Sequence, residues 1–275
     1  MSIKKYLKRV CKYIITGVPN VNVDVKVVQD ISGQKLKDKV ILVTGGSKGI
    51  GYEIAKRCIS EGAKVIIVSR KEEELKKVSK EFGDNCKYVC FDVSDFIHYQ
   101  DFYEKVNKQF GKIDCLVNNA GISLHEKNLL DVPLENFDTQ FNINLKAPYF
   151  LAQLFIKNKK EKLNILFITS ERGFQCDDIP YGLTKCSINS LVKGISKRFY
   201  REGVRSNAIA PGVTASKMTG RTKNGNKFEE KQSAGRYFMP EEIAETAVFL
   251  LSDSSVCISG EIVACDAGQY ISSYF

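Results

Sequence analysis

The sequence predicts an α/β fold, a doubly wound parallel sheet of about seven strands in a single domain. From residue 39 onward, near-continuous apolar runs alternate with segments of helical periodicity. Such runs are typical of parallel strands that are buried on both faces, and right-handed crossovers then place helices on both sides of the sheet. A chain of 275 residues, 43% hydrophobic and 27% charged, suits one large domain and excludes wholesale disorder.

Four apolar runs predict the first half of the sheet, at residues 39–46, 64–70, 87–93 and 114–121. The first run, KVILVTGG, is rich in β-branched residues and ends in glycines. A helix with apolar residues at helical spacing follows it and stops at Gly62. The polar segment KEEELKKVSKEF forms the second helix, and a third helix begins at Ser94.

Three more runs complete the predicted sheet, at residues 163–170, 204–212 and 261–268. A long helix that begins near Glu135 and runs into the 150s precedes the fifth strand. A second long helix, at 181–203, ends in a glycine before the sixth strand. A third helix, at 240–251, is opened by a proline and precedes the seventh strand.

The surplus of positive charge lies outside the predicted sheet. The net charge is +9; residues 1–38 carry eight basic against three acidic side chains, and residues 215–238 carry six against two. The remaining charges balance, so there is no overall field for a nucleic-acid backbone and we expect no nucleic-acid partner. We predict a basic N-terminal extension at 1–38 and a domain at 39–275 with a lid at about 213–238.

Each basic segment has two interpretations. Residues 3–14 place apolar and basic side chains at helical spacing, which could lie on an anionic membrane surface but is more typical of a helix that docks on protein or of a frayed terminus. Residues 21–28 alternate and could add a strand. The lid could recognise an anionic substrate or an acidic carrier protein, or it could be a solvated flap.

Cysteine usage and hydropathy restrict the compartment and the kind of site. No apolar run approaches the roughly 20 residues that a membrane span needs. The basic start does not resemble a signal peptide, because Lys12, Gly17 and Pro19 interrupt its apolar stretch. Nine cysteines without a C-x-x-C pair, and only two histidines, argue against a disulfide scaffold and a zinc module. We expect a cytoplasmic protein with no metal site.

A glycine-rich turn joins the first strand to the first helix. Gly45, Gly49 and Gly51 lie in the segment TGGSKGIG (44–51), where glycine lets a diphosphate approach the backbone at a helix N-terminus. The same glycines could instead serve only to turn the chain. The second strand ends in Ser69 and Arg70 with no carboxylate. Together with Lys48 in the turn, Arg70 suits a 2′-phosphate, so we expect NADP(H) rather than NAD(H).

Four polar residues are candidates for the chemistry. Tyr181 and Lys185 are four positions apart on one helix, so the two side chains share a face. An ammonium group about 4 Å from the phenol would lower its pKa from about 10 towards neutrality and make it an acid–base. Ser170 ends the fifth strand, where its hydroxyl can donate to a carbonyl oxygen. Asn144 lies within the long preceding helix, and holding a water is one possible task for it.

These motifs, in this order, resemble the classical short-chain dehydrogenase/reductase family over about residues 39–268. The matching segments are TGGSKGIG, Asp92 in FDV, NNAG (118–121), Asn144 in NINL, Ser170, Tyr181 with Lys185, and Pro211-Gly212 with Ser216. The resemblance implies a Rossmann fold with Tyr181 as acid–base, Lys185 on the nicotinamide ribose, Ser170 orienting the carbonyl and Asn144 in a proton relay. It implies cofactor contacts by Gly45, Ser47, Lys48, Gly49, Ile50, Gly51, Ser69, Arg70, Asp92, Val93, Asn119, Ala120, Gly121, Tyr181, Lys185, Pro211, Gly212, Thr214 and Ser216.

The resemblance implies reversible hydride transfer between a nicotinamide and a ketone or secondary alcohol. In character the chain is closest to 3-oxoacyl-[acyl-carrier-protein] reductases. Hydroxysteroid and polyol dehydrogenases remain alternatives, as does a non-catalytic dinucleotide-binding protein of the same fold. The expected partners are a small-molecule ketone or alcohol, or an acyl-carrier substrate, and further copies of the chain. A homotetramer or homodimer would assemble on the two long helices, 135–160 and 181–202.

Overall fold

The computed structural model describes Cys11, residues 22–24 and residues 34–271. Of the helix predicted at 3–14 only Cys11 is described, and of the strand predicted at 21–28 only residues 22–24 are described. The rest of both elements lies outside the described residues. Within the described part, no helix is both long and apolar enough to cross a membrane. The N-terminal extension at 1–38 therefore stays a prediction.

Seven parallel strands form one sheet in the order β3-β2-β1-β4-β5-β6-β7, which confirms the predicted fold class. The register pairs Thr44 with Val68 across β1 and β2, and Asn118 with Phe167 across β4 and β5. Six strands lie inside their predicted ranges, and β3 begins one residue before its range, at Cys86. The strands are β1 (Val40–Thr44), β2 (Lys64–Ser69), β3 (Cys86–Cys90), β4 (Cys115–Asn118), β5 (Leu163–Ile168), β6 (Val204–Pro211) and β7 (Ile262–Cys265).

Helices cover both faces of the sheet, so that adjacent strand residues are buried against different layers. Leu42 and Val43 are neighbours in β1 and both fully buried, yet they belong to opposite apolar clusters. One cluster includes side chains of α1, α2 and α7, and the other includes side chains of α3, α5 and α6. The helices are α1 (Gly49–Ser60), α2 (Glu72–Phe82), α3 (Tyr99–Phe110), α4 (Leu134–Phe141), α5 (Ala147–Asn158), α6 (Pro180–Phe199) and α7 (Pro240–Leu251).

The strand order reverses between β1 and β4. The chain proceeds outward from β1 to β2 and β3, returns to pair β4 with β1, and then continues in the other direction. The loops after β1 and β4 therefore separate at the carboxyl edge and leave a crevice, which is where open α/β sheets bind ligands. The glycine turn and the NNAG segment both lie at this edge.

The long helix predicted from Glu135 is interrupted. It consists of α4, a π-helical turn over Asn142–Lys146, and α5. Pro148, in the first turn of α5, has no N–H to donate to the carbonyl of Asn144, which explains why the regular α pattern is broken here. The wider turn contains Asn144, one of the predicted site residues.

Candidate active site

The glycine turn is too crowded for other residues. Gly45 and Gly49 have φ angles of +66° and +58°, which favour glycine. A Cβ atom on Gly51 would overlap the carbonyl oxygen of Gly45 and the side-chain amide of Asn119. The turn consequently presents backbone at the N-terminus of α1, as a site for a diphosphate requires.

Hydrogen bonds join the glycine turn to the segment after β4. The side-chain amide of Asn119 donates to the carbonyl oxygens of Thr44 and Gly45, at 2.9 and 3.2 Å. The Oγ1 atom of Thr44 accepts from the backbone N–H groups of Asn119 and Ala120, at 3.0 and 3.1 Å. Asn119 and Ala120 thus hold the two loops of the crevice at a fixed separation.

A cavity of about 160 Å³ lies in this crevice. Its position, next to the exposed backbone of the glycine turn, fits the adenosine half of a nicotinamide dinucleotide. A second cavity, of about 500 Å³, lies at the opposite edge of the sheet, between the ends of α3 and α5, and contains no predicted site residue. The predicted cofactor residues that line the first cavity are Gly45, Ser47, Lys48, Ser69, Arg70, Asp92, Val93, Ala120 and Gly121.

The same cavity contains a carboxylate that the sequence analysis missed. Glu74, in the first turn of α2, accepts from the Ser47 hydroxyl at 3.3 Å and pairs with the Lys71 ammonium at 3.3 Å. The pKa of Glu74 is lowered, because these contacts and the nearby Lys48 outweigh its burial. Arg70 and Asp92 form a looser pair at 3.7 Å. Cations and carboxylates are therefore mixed at the end of β2.

The side chains predicted for the chemistry meet at the carboxyl end of β5. The ammonium group of Lys185 lies 5.5 Å from the ring centre of Tyr181 and donates to the carbonyl oxygen of Ile168 at 2.9 Å. The hydroxyl of Ser170 caps the turn that follows it by accepting from the N–H of Arg172, at 3.3 Å. The Ser170 hydroxyl also lowers the pKa of the Tyr181 phenol.

Burial dominates the ionisation of this pair. It lowers the pKa of Lys185 to about 8 and raises the pKa of Tyr181 above its ordinary value. The Ser170 hydroxyl and the positive charge of Arg172 oppose the effect on the Tyr181 pKa, whereas the charge of Glu171 adds to it. The lowered phenol pKa expected from Lys185 is thus not found, because the Lys185 ammonium is itself desolvated and bonded to a backbone carbonyl. Tyr181 is a protonated donor at neutral pH.

Asn144 is placed beside Lys185 by the π turn. Its side chain accepts from the N–H of Ile122 at 2.9 Å and donates to the carbonyl of the same residue at 2.8 Å. Only 2% of Asn144 is exposed. A Cβ atom on Gly121 would lie 3.4 Å from Oδ1 of Asn144 and 3.6 Å from Nζ of Lys185, so a single methyl group would contact both.

The segment after β6 approaches the glycine turn from the other side. Pro211 ends β6, and the Thr214 hydroxyl donates to the carbonyl of Gly212 at 2.9 Å. A Cβ atom on Gly49 would have Cβ of Ser216 as its neighbour, at 3.9 Å. The predicted contacts at the nicotinamide end therefore face the predicted contacts at the diphosphate. Gly49, Ile50 and Gly51 complete this wall as the first residues of α1.

Ion pairs attach the predicted lid to the domain. Lys223 pairs with Glu53 of α1 and, at 2.6 Å, with Glu241 of α7. Arg236 pairs with Glu242 at 2.7 Å. Arg221 pairs with Glu229 within the lid itself. Half of the six basic side chains of this segment thus have carboxylate partners, which is evidence against an entirely solvated flap.

The loop that connects β5 to α6 is fixed by a contact absent from the sequence prediction. Asp177 binds the Arg172 guanidinium, with atoms at 2.5 and 2.8 Å, and its side chain is 4% exposed. It packs so closely on α6 that a Cβ atom on Gly182 would overlap its carboxylate. The glycine directly after Tyr181 was the available sequence signal for this close approach.

Known proteins resemble the chain over most of its length. A family model described as enoyl-(acyl carrier protein) reductase matches residues 45–269. Gluconate 5-dehydrogenase of Gluconobacter oxydans is 32% identical over 248 residues, covering 84% of this chain and 94% of that protein. The 7α-hydroxysteroid dehydrogenase of Bacteroides fragilis is 28% identical over 249 residues, covering 86% and 96%.

The fold of the chain is also similar to a solved structure over most of its length. That structure is 3-ketoacyl-(acyl-carrier-protein) reductase from Brucella melitensis, complexed with NADH. It superimposes with a TM-score of 0.80 at 30% sequence identity, and the match covers 86% of this chain and 99% of that one.

Proposed function

Because this chain belongs to the short-chain dehydrogenase/reductase family, and so to a family of oxidoreductases that use a nicotinamide dinucleotide, we propose that it interconverts a ketone and a secondary alcohol with NADP(H). One observation carries the proposal. The phenol of Tyr181, the hydroxyl of Ser170 and the ammonium of Lys185 meet at the carboxyl edge of the sheet, beside the crevice that contains the glycine turn.

Each of these side chains has a task in the reduction. When bound, the nicotinamide supplies the hydride from its C4 position. Ser170 orients the substrate by donating a hydrogen bond to the carbonyl oxygen, on which negative charge develops. Tyr181 gives its proton to that oxygen. The ammonium of Lys185, 5.5 Å from the ring centre of Tyr181, offsets part of the burial penalty on the phenolate that remains.

Replacing Tyr181 with phenylalanine tests the proposed proton transfer. The Tyr181→Phe variant should lose about 10²–10⁴-fold in kcat, because the proposed proton donor is removed. Its folding and its affinity for NADPH should change little. Oxidation of NADPH, followed by absorbance with a panel of ketones, measures the first quantity, and NADPH fluorescence titration measures the second. Tyr200→Phe, an exposed tyrosine, is the matched control. A fully active Tyr181→Phe variant would refute the assignment.

The preference for NADP(H) is supported by Lys48 and Arg70, which line the cavity at the end of β2, and by the absence of a carboxylate at the end of that strand. A 2′-phosphate would pair with both cations. Glu74 opposes this preference, because its negative charge lies in the same cavity and holds Ser47 and Lys71. The balance between these groups should set the ratio of the two cofactor affinities.

Three charge-neutralising variants test this balance. We expect the wild type to bind NADPH more tightly than NADH. Arg70→Gln should reduce the ratio of the NADPH affinity to the NADH affinity about 10-fold, because a cation that pairs with the 2′-phosphate is removed. Glu74→Gln should increase this ratio, because a negative charge beside the phosphate is removed. Glu73→Gln is the control, because Glu73 is exposed on the same helix and pairs with Lys76. Fluorescence titration with both cofactors measures the ratio. A wild type that prefers NADH would contradict the proposal.

The substrate could come from any of three classes: a 3-oxoacyl group, a hydroxysteroid or a polyol. Relatives or similar structures from each class match the chain to a similar degree. The pairing of three lid cations with carboxylates weakens the argument that the lid recognises an acidic carrier protein. A non-catalytic function is disfavoured, because Ser170, Tyr181 and Lys185 are all in place.

We also propose the domain organisation and the assembly predicted from the sequence: an extension at 1–38, a domain at 39–275 with a lid at about 213–238, and a homotetramer or homodimer. Large apolar side chains support the assembly, because Phe137, Tyr149, Phe150 and Leu183 are exposed on α4, α5 and α6. A cytoplasmic location is supported by the nine cysteines, all of which are free thiols.

A further inference from the structure

Two buried polar atoms near the reacting residues have no hydrogen-bond partner among the described residues. They are Oε2 of Glu171, which directly follows Ser170, and Oε1 of Gln232, in the lid. Gln232 is 9% exposed, although it belongs to a surface segment. A buried acceptor without a donor is unfavourable, so such atoms point to a group that is present during function.

The two side chains belong to segments that contact the same part of the chain. Phe174, in the turn of Glu171, stacks on Tyr270, and Ser233, next to Gln232, donates to Gln269. The amide of Gln232 also lowers the pKa of the Glu171 carboxyl. The charge of the Glu171 carboxyl in turn raises the pKa of Tyr181. The unpaired oxygens therefore belong to the turn that Ser170 caps and to the predicted lid.

The surrounding structure fixes both side chains without supplying the missing donors. The ring of Phe174, in the same turn as Glu171, stacks on Tyr270 with the centres 4.3 Å apart. Ser233, next to Gln232, donates twice to the side-chain oxygen of Gln269, at 2.5 and 2.8 Å. The side chain of Asp266 already accepts from the backbone N–H groups of Gly268 and Tyr270.

We propose that Glu171 and Gln232 form a polar subsite that binds a hydroxyl group of the substrate, so that the preferred substrates are ketones and alcohols with a second hydroxyl group near the reacting carbon. A hydroxyl suits the subsite because it both donates and accepts, and so pairs with the carboxyl in either protonation state. A purely hydrocarbon chain would leave both oxygens buried and unpaired. The inference rests on the proposed reductase function and selects the polyol-like class among its substrates.

Matched pairs of ketones test the subsite. In each pair a methyl group replaces the second hydroxyl: 3-hydroxybutan-2-one with 3-methylbutan-2-one, and 4-hydroxypentan-2-one with 4-methylpentan-2-one. With NADPH, the wild type should have a kcat/KM at least about 10-fold higher for the hydroxylated member of one pair or both. In Glu171→Met and in Gln232→Met this ratio should fall towards one. Glu104→Met, an exposed glutamate on α3, is the control and should keep the wild-type ratio.

A binding measurement separates this inference from the proposed activity. The corresponding diols should raise the Tm of the wild-type complex with NADP⁺ more than their methyl analogues do, and the variants should lose this difference. If the difference in Tm is found but no ketone is reduced, the subsite stands and the reductase proposal fails. If the ketones are reduced without a preference for hydroxyl, or if the preference survives in both variants, the subsite is refuted.

Discussion

At the scale of single residues, the surroundings of the site give three carboxylates different properties. Glu74 and Asp92 have lowered pKa values, because hydrogen bonds and neighbouring cations outweigh their burial. Burial and the negative charge of Asp266 instead raise the pKa of Glu171 to about 7. The chain thus keeps charged carboxylates at the adenosine end, and at the reacting end it has a carboxyl that changes its protonation near neutral pH.

The raised pKa of Glu171 predicts a pH-dependent effect on stability. Below the pKa of the unfolded chain, near 4.5, the carboxyl is protonated in both states and carries no penalty. As the pH rises to about 7, the unfolded state releases its proton first, and the folded state loses stability. Glu171→Gln should therefore stabilise the protein by about 1–2 kcal/mol at pH 8, a value discounted for partial exposure, and by much less at pH 5.

Urea unfolding of the wild type and of Glu171→Gln at the two pH values measures this effect. Glu104→Gln, in which the carboxyl is exposed, should show the same difference from the wild type at both. A stabilisation by Glu171→Gln that is equal at pH 5 and pH 8 would show that the folded-state pKa of Glu171 is ordinary.

At the scale of elements, ion pairs attach the lid to two helices: α1, which follows the glycine turn, and α7, which precedes the seventh strand. Lys223 connects it to α1 through Glu53, which is buried, and to α7 through Glu241. The phenol of Tyr237 donates to the carbonyls of Thr222 and Asn226, at 2.9 and 3.2 Å, and so fixes the base of the same loop. We therefore predict that the position of the lid and the geometry of the diphosphate site are coupled through α1.

Removal of this ion pair should weaken cofactor binding. Lys223→Met leaves the buried Glu53 carboxylate without its cation, which should destabilise the closed lid by about 1–2 kcal/mol and raise the Kd for NADPH about 10-fold. Fluorescence titration measures the Kd, and thermal unfolding with and without NADPH measures the accompanying loss of stability. Lys231→Met, an exposed lysine of the lid, should bind as the wild type does. An unchanged Kd in Lys223→Met would show that the lid is not coupled to α1.

At the scale of the whole molecule, the sequence predicts the strands and their covering by helices, because each strand is a local apolar run and each helix has its own periodicity. The glycine turn and the spacing of Tyr181 from Lys185 are local as well. The π turn was not predicted, because it depends on a single residue, Pro148, within a segment that otherwise has helical periodicity. The exact ends of the strands depend on pairing with neighbours, so β7 is shorter than its apolar run.

Contacts between distant segments could not be predicted from one sequence. Glu74 reaches Ser47 only because Thr44 of β1 pairs in register with Val68 of β2, which no local pattern reveals. Glu171 and Gln232 are separated along the chain by α6 and β6, so no local pattern indicates that one influences the other. The direction of the Tyr181 pKa shift likewise depends on burial, which periodicity does not measure.

The side-chain oxygen of Thr44 has one more consequence. It accepts two N–H groups from the segment after β4 and donates to the carbonyl of Val117 at 3.2 Å, so that its bonding capacity is exhausted. A ligand that enters the crevice cannot hydrogen-bond to this oxygen. The ligand does meet two walls that the bonds of this oxygen already hold together. The width of the gap is in this way decided during folding, before any nucleotide arrives, and the entropic penalty of ordering those walls does not fall on the binding step.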